Sequence, residues 1–454
     1  MLFYYMQLFP KKRTIRIIVS AVLFFLFCCG GKISAAPLSL TLEDVIEKAV
    51  AESITLQKSA IDLGMAQFRA EHLWSEMFPG ITLRAGLTIL PDTALFTDPH
   101  FSYNSSGASY SVSLGLSLQF NAGIPYSMKL TRLAYQRGLL DYENARRRVV
   151  LDITKIFYTL LANQKNIENL KRTLELAELN LEKNRVARAN GLIGELPWLQ
   201  NRLSVETARY NLGNAQGAYE NSLKDFLTTI GMDRDTEVIL AGTIEPFPFN
   251  PDPEALIFEY LPKRPDIMSQ RQTIERLELS RTQTNLSLKV PSISLSTTWS
   301  GGPARNSGIG GRFSDNLSAS LSVSIPVDAW IPGTKSNQSI RAADAEIEKA
   351  RLDLVNTEST AKAQIRSLSE SLKNSWRSIE IARLRVEIAE RTYELTDAGF
   401  HNGVVEYLGL ENTRNDLEDA RYRLLQSELT YLNLLLDLAS ALNIDLETLT
   451  RSGL

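Results

Sequence analysis

The side chains able to do covalent or metal chemistry are few and scattered. The 454-residue chain has three histidines, His72, His100 and His401, far apart in sequence. None has a second ligand at the short spacing that places two imidazoles on one metal. Its two cysteines, Cys28 and Cys29, are adjacent and both lie in the leading segment, so the rest of the chain has neither thiol nor disulfide. There is no glycine-rich phosphate loop and no nucleophile elbow. Neighbouring acids such as Glu411 and Asp416 read as solvated faces of a coiled coil. These residues imply no catalysis, no metal site and no cofactor. Energy for any work would have to come from a partner.

The leading segment reads as an export signal. Lys11, Lys12, Arg13 and Arg16 form a basic flank, and Ile17 to Phe27 is an apolar core of secretory length. A cut after Ala35 satisfies the small-residue rule and keeps Pro37 away from the cleavage point. Two alternatives are a retained anchor and a lipid-modified cysteine; the latter wants a small residue before it, whereas Phe27 precedes Cys28 and Cys28 precedes Cys29. Removing 1–35 takes away five basic residues and no acidic ones, moving the formal charge from −3 to −8. Such a chain has no basic stripe for phosphates and does not read as a nucleic-acid binder. No later stretch approaches a membrane-spanning apolar run.

The remainder is written twice. Asn190-Gly191 returns as Asn402-Gly403, 212 positions on. At the same spacing Arg202 returns as Arg414, Val205 as Leu417, and Ala208-Arg209-Tyr210 as Ala420-Arg421-Tyr422. Phe78-Pro79-Gly80-Ile81-Thr82-Leu83 matches Val290-Pro291-Ser292-Ile293-Ser294-Leu295, and Ile124-Pro125 matches Ile331-Pro332. A unit of this length is too long for a solenoid repeat. The chain therefore divides into a first repeat, 36–240, and a second, 241–454. The first holds a helix, a β-hairpin over 80–120 and a helical hairpin over 125–228. The second holds a linker over 241–252, a helix, a β-hairpin over 292–326 and a helical hairpin over 333–444.

The strands carry a period of two. Ile81, Leu83, Ala85, Leu87 and Ile89 alternate with Thr82, Arg84, Gly86 and Thr88; the runs at 111–120, 293–299 and 317–325 behave likewise. Their length suits tilted transmembrane strands. The polar positions are almost all Ser, Thr and Gly, which fits a watery lumen better than the Lys- and Glu-rich outer face of a soluble sandwich, the competing reading. Pro91 to Ala108 and Gly301 to Asp315 read as long loops.

Two very long helices follow. About Pro125 to Ala189 contains one glycine, Gly138, and no internal proline; about Gly333 to Asp397 contains neither internally. Leu160, Ile167, Leu174 and Leu181 recur by sevens, as do Leu410, Leu417, Leu424 and Tyr431, the mark of supercoiled pairing. Helices near 53–77 and 195–228 together match the first long helix in length, and those near 265–289 and 407–444 match the second. Ser53 is placed to cap the first of them. Glycines at Asn190-Gly191 and Asn402-Gly403 close the two hairpins. Leu192, Ile193, Val404 and Val405 at those tips suit either docking or ordinary tip packing.

Four strands do not close a membrane barrel, for which roughly eight are the minimum, and open sheet edges are not tolerated in hydrocarbon. Other copies must complete the wall. The duplicated strand-helix units, Arg264-Pro265-Asp266-Ile267, and Gly403-Val404-Val405-Glu406-Tyr407-Leu408-Gly409-Leu410 together resemble the TolC family of outer-membrane efflux channels over essentially the whole mature length. Ser53-Ile54-Thr55-Leu56, where many members have Asn-Pro, and Gly194-Glu195-Leu196-Pro197 at the first tip depart from the pattern.

The resemblance implies a mainly α fold with a transmembrane β part. Four strands per chain would complete a twelve-stranded barrel in a homotrimer, above a coiled-coil tunnel. It implies an outer-membrane location, lipid contact, and passive efflux with a periplasmic adaptor and an inner-membrane pump. Asn190, Gly191, Leu192, Ile193, Asn402, Gly403, Val404 and Val405 would dock the adaptor. Because family tunnels narrow at acidic rings, Glu195 and Glu406 are the constriction candidates; the alternative is two solvated glutamates. Polypeptide export and a non-channel periplasmic scaffold are the rival functions.

Overall fold

Two rods, each about 100 Å long at ~1.5 Å per residue, organise everything else. The computed structural model describes residues 38–89, 108–191, 193–303 and 312–451. The export-signal reading, Cys28, Cys29, His100 and Leu192 lie outside the described residues. In chain order the first repeat comprises β1 (Leu38–Leu40), α1 (Leu42–Glu52), α2 (Ile54–Glu71), β2 (Gly80–Ile89), β3 (Ala108–Phe120), α3 (Ile124–Ala189), α4 (Glu195–Thr229) and β4 (Val238–Leu240). The second comprises α5 (Pro253–Tyr260), α6 (Pro265–Lys289), β5 (Ser292–Pro303), β6 (Phe313–Ser324), α7 (Lys335–His401), α8 (Tyr407–Leu442) and α9 (Leu446–Arg451). No described helix is long and apolar enough to cross a membrane.

Local chemistry sets the boundaries. Ser53 accepts a hydrogen bond from the Leu56 amide and starts α2. α2 stops at Glu71, short of Met77, because His72 leaves helical geometry (φ −105°, ψ 35°) with its Nδ1 2.7 Å from the Phe68 carbonyl. A 3-10 turn over Leu73–Met77 then leads to Pro79, which disfavours helix in the residue before it. α7 runs on past Asp397 to His401.

Each rod packs on two short helices: α3 on α2 and α4, α7 on α6 and α8. Seven-residue spacing decides what is buried. Ile153, Leu160 and Ile167 of α3 are buried, and so are Ile365, Leu372 and Ile379 of α7, the same positions 212 residues on. Ile153 and Leu160 pack in one core with Phe157, Phe226 and Ile230, and Ile365, Leu372 and Ile379 in the other with Tyr431, Leu435 and Leu442. β1 and β4 pair in parallel, Leu38 opposite Val238, and so tie the start of the first repeat to its end.

The remaining strands form one antiparallel sheet in the order β2-β3-β5-β6. Residues directly opposite share a face. Leu83, Leu114, Trp299 and Leu317 form one apolar row across all four strands, and Ile81, Leu116, Thr297 and Ala319 form the next. The other face carries Thr82, Gly115, Thr298 and Ser318 in one row, and hydroxyl pairs Ser294–Ser322 and Ser296–Ser320 at 2.7 Å. The apolar face is bare, with Leu83 74% exposed and Leu321 70%.

The segment Gly301 to Asp315, read as loop, is strand at both ends: Gly301 pairs with Asp315 and Pro303 with Phe313. The Phe313 ring lies over Gly301, where an added Cβ would sit 2.3 Å from the ring. Glycine covered by a cross-strand aromatic is a stable sheet device, and period-two reading is blind to it.

Candidate functional site: the hairpin tips and the polar cluster behind them

At the second tip α7 ends in a Schellman motif. Gly403 (φ +72°) donates its amide to the Phe400 carbonyl, and Val404 to that of Gly399 at 2.9 Å. Asn402 is the cap residue. The first tip repeats the turn: Asn190 caps α3, Gly191 has φ +73°, and its amide bonds the Arg188 carbonyl at 2.9 Å. A side chain with a Cβ is strained at both glycines.

The apolar tip residues do not act alike. Val404 is 81% exposed. Val405 is half-buried and turned inward, its two methyls filling space that a Cβ on Gly399 (2.8 Å) or Gly409 (3.0 Å) would occupy. Ile193 is half-buried. Val404 is therefore the more exposed apolar contact of the second tip, ahead of Leu408 at 54%, and Val405 is a wedge between the end of α7 and the start of α8.

The two acidic candidates also differ. Glu195 opens α4 and lies 3.7 Å from Arg188, whose guanidinium stacks over Trp198 at 4.3 Å. Its charge is thus shared with a cation on the neighbouring helix. Glu406 is the cap residue before α8, exposed, with no ion pair among the described residues. A negative charge at that end of a helix is favoured by the helix dipole.

Behind the tips a buried polar cluster joins α4 to α8. Asn201 is 0% and Arg414 5% exposed. Tyr407 donates its hydroxyl to Asn201 Oδ1 (2.9 Å) and lies 3.0 Å from Glu411 Oε2. Ser204 Oγ donates to Glu411 Oε1 at 2.7 Å. Arg414 Nη2 reaches both Ser204 and Glu411, and Nε lies 3.7 Å from Glu418. Burial, with Glu411's charge beside it, pushes the Tyr407 hydroxyl well above the ordinary tyrosine range. Burial also raises the Glu418 carboxyl, opposed by a hydrogen bond from Thr173 and the charge of Arg414. Glu411, read as a solvated acid, in fact faces this interior because α4 covers it; Asp416 is exposed as read. The duplication pointed to Arg414 as the repeat of Arg202, yet Arg202 is exposed, so identity in sequence gave no warning of the difference in burial. A polar groove of about 300 Å³ continues the cluster, lined by Asn166, Asn169, Asn211 and Asn415.

The Arg264-Pro265-Asp266-Ile267 motif is a structural clasp. Arg264, buried, holds Asp266 with two bonds (3.1 and 2.7 Å), the Ala441 carbonyl at the end of α8 (3.0 Å) and Gln364 of α7 (3.1 Å). Burial pushes the Asp266 carboxyl up, but the Arg264 bond and charge outweigh it and leave it below the usual range. Ile267 is fully buried beneath.

A sheet with one bare apolar face and one hydroxyl face, set on rods of this length, defines a membrane channel built jointly from strands and helices. A family model described as outer membrane efflux protein matches residues 45–231 and 256–443. The chain belongs to that family and is an outer-membrane efflux channel, with its helical part in the periplasm. No curated protein matches it in sequence. Among solved structures it is similar to the CmeC outer membrane channel of Campylobacter jejuni: 18% identity, TM-score 0.68, covering 91% of this chain and 89% of that one. It is similar to the outer membrane protein VceC of Vibrio cholerae at 16% identity and TM-score 0.67, covering 89% and 96%. The MtrE channel of Neisseria gonorrhoeae, in its open state, gives 14% identity and TM-score 0.66, covering 89% of each chain.

Proposed function

We propose that the protein is the passive exit duct of a tripartite system, a homotrimer whose twelve strands close a barrel and whose helices form the conduit below. It carries small molecules (drugs, toxic compounds or metal ions) from the periplasm to the exterior, with an adaptor and an inner-membrane pump supplying selection and energy. It is not an enzyme. The observation that carries this reading is the sheet: apolar and bare on one side, hydroxyl-lined on the other, and open at β2 and β6. Lipid requires those edges to be paired, and further copies pair them. Type I polypeptide export uses the same duct geometry and differs only in the pump. A scaffold without a pore leaves the bare face unexplained.

The tips Asn190–Ile193 and Asn402–Val405 are the docking ends for the adaptor, with Val404 the protruding contact. Three copies of Glu406 would ring the mouth and disfavour anions; Glu195, with Arg188 at 3.7 Å, contributes less. Purified protein in planar bilayers is expected to conduct with cation selectivity that Glu406→Gln reduces. Absence of conductance from detergent-extracted trimer would overturn the duct, and unchanged selectivity would remove Glu406 from the mouth.

A further inference from the structure

The hydroxyl face of the sheet carries a single kind of charge at a single position. On the described strands every residue of that face is Ser, Thr, Gly, Asn or Gln except Arg84. Arg84 sits midway along β2, opposite Ser113, with Thr82 and Gly86 two residues to either side. From 77 to 91 it is the only charged residue in the sequence. Its guanidinium is exposed and holds no hydrogen bond or ion pair among the described residues. Neighbours this small cannot cover it. An arginine strengthens a sheet through an opposite charge across the strands, and Ser113 offers none, so the charge is free to act on what passes the face.

We propose that three copies of Arg84 form a cationic ring inside the barrel, a binding site for the anionic groups of solutes on their way out. This rests on the homotrimer reading above and adds a charge class to the cargo. A rotation axis sets the three copies at one height. Twelve strands ~4.8 Å apart and tilted by ~40° close a wall about 24 Å across. An arginine reaches about 6 Å inward from that wall, which leaves the three guanidiniums roughly 6 Å from the axis. Closure supplies no acid to neutralise them. β6, the other free edge and the strand that meets β2 of the next copy, is uncharged on its hydroxyl face from Ser314 to Ser324. Its one acid, Asp315, lies on the apolar face, 3.2 Å from the indole nitrogen of Trp299.

The magnitude is modest for one charge and useful for three. At physiological salt the Debye length is about 8 Å, so a solute on the axis feels every copy. Screened attraction in water then enriches a monovalent anion roughly fivefold at the ring, and a divalent one by about the square of that. The forked guanidinium also matches carboxylate and phosphate oxygens in shape. Neutral cargo passes a hydroxyl wall without any charge, so the ring discriminates by valence. Its sign is opposite to that of Glu406 at the far end of the duct, and a zwitterion is favoured at both.

The test is block of single channels in planar bilayers by inorganic tripolyphosphate, added on the barrel side so that it reaches the ring without passing the tips. The natural trimer is expected to show concentration-dependent block that weakens as salt rises. Arg84→Gln should raise the half-blocking concentration about tenfold or more. Arg84→Lys keeps the charge and should stay within about threefold of the natural protein. Ser300→Arg, in the same cross-strand row as Arg84 and Ser113, adds charge to the ring and should lower the half-blocking concentration, a gain that misfolding does not produce. Conductance before the blocker is added shows that each variant still forms the pore. A natural trimer that conducts but is not blocked, or block that Arg84→Gln leaves unchanged, overturns the ring and leaves the duct standing. Loss of block in Arg84→Lys overturns a site that works by charge. A detergent-extracted trimer that conducts nothing overturns the duct itself.

Discussion

Arg414→Met tests whether the cluster behind the tips holds the two helical hairpins together. The guanidinium is the cation among Glu411 and Glu418, whose side chains are 18% and 29% exposed, and it also bonds Ser204 on α4. Methionine matches its bulk but strands the carboxylates. Removing one partner of a buried pair costs about 3–5 kcal/mol. Glu418 already takes up a proton readily, which relieves part of the stranded charge and sets the loss near the lower end, ~3 kcal/mol, roughly a hundredfold in the equilibrium between packed and loosened tip. Thermal unfolding in detergent should fall by several degrees, and single-channel records should show higher conductance, because the lost bond to Ser204 joins α4 to α8, while the pairs with Glu411 and Glu418 lie within α8. Arg414→Met/Glu411→Gln removes the stranded charge and should recover most of the loss. The reasoning fails if Arg414→Met melts and conducts like the natural protein, or if the double variant is as impaired as the single one.

The raised Glu418 carboxyl gives the cluster a pH dependence. Its stabilising contribution is complete below the unfolded value and is lost as pH rises through the raised folded value, so the tip tightens on acidification; Glu418→Gln should raise the neutral-pH melting temperature and shrink its difference from mildly acidic pH. Asp266 has the opposite sign, since its lowered carboxyl stabilises above the unfolded value and ceases to do so as pH falls through the folded one. Arg264→Ala should cost about 2–4 kcal/mol and speed hydrogen exchange in the last turn of α8, while Arg264→Lys, lacking the fork, recovers only part. On the sheet, Leu321→Arg should cost roughly 2–4 kcal/mol near mid-membrane and deplete heat-resistant trimer in membrane fractions. Its neighbour Ser320→Arg, on the hydroxyl face, should assemble normally; equal loss in both would refute the assignment of faces.

Much of the architecture was legible because its signals are local. Alternation of Leu83, Ala85 and Leu87 with Arg84 and Gly86 states a strand and its two faces without reference to anything distant. A stretch free of proline, with Leu160 and Ile167 a heptad apart, states a helix and its buried edge. Gly191 and Gly403 mark turns because only a left-handed residue ends those helices in that way. The site was less legible. Val404 and Val405 are adjacent and chemically alike, and only the approach of Gly399 and Gly409 turns one inward. Glu411 and Asp416 looked equivalent until α4 covered the first.

The amino-acid order alone determined that the protein is two copies of one unit, that each copy holds a two-faced hairpin and a rod, and that a lone chain leaves its sheet open. The tertiary structure decided which distant parts meet: β1 with β4, Arg264 with the end of α8, Asn201 and Ser204 with Tyr407, Glu411 and Arg414. The reason is range. Periodicity and glycine act through a residue's own few neighbours in sequence, whereas burial and pairing of charge depend on segments some 200 residues apart that come together only when the rods align.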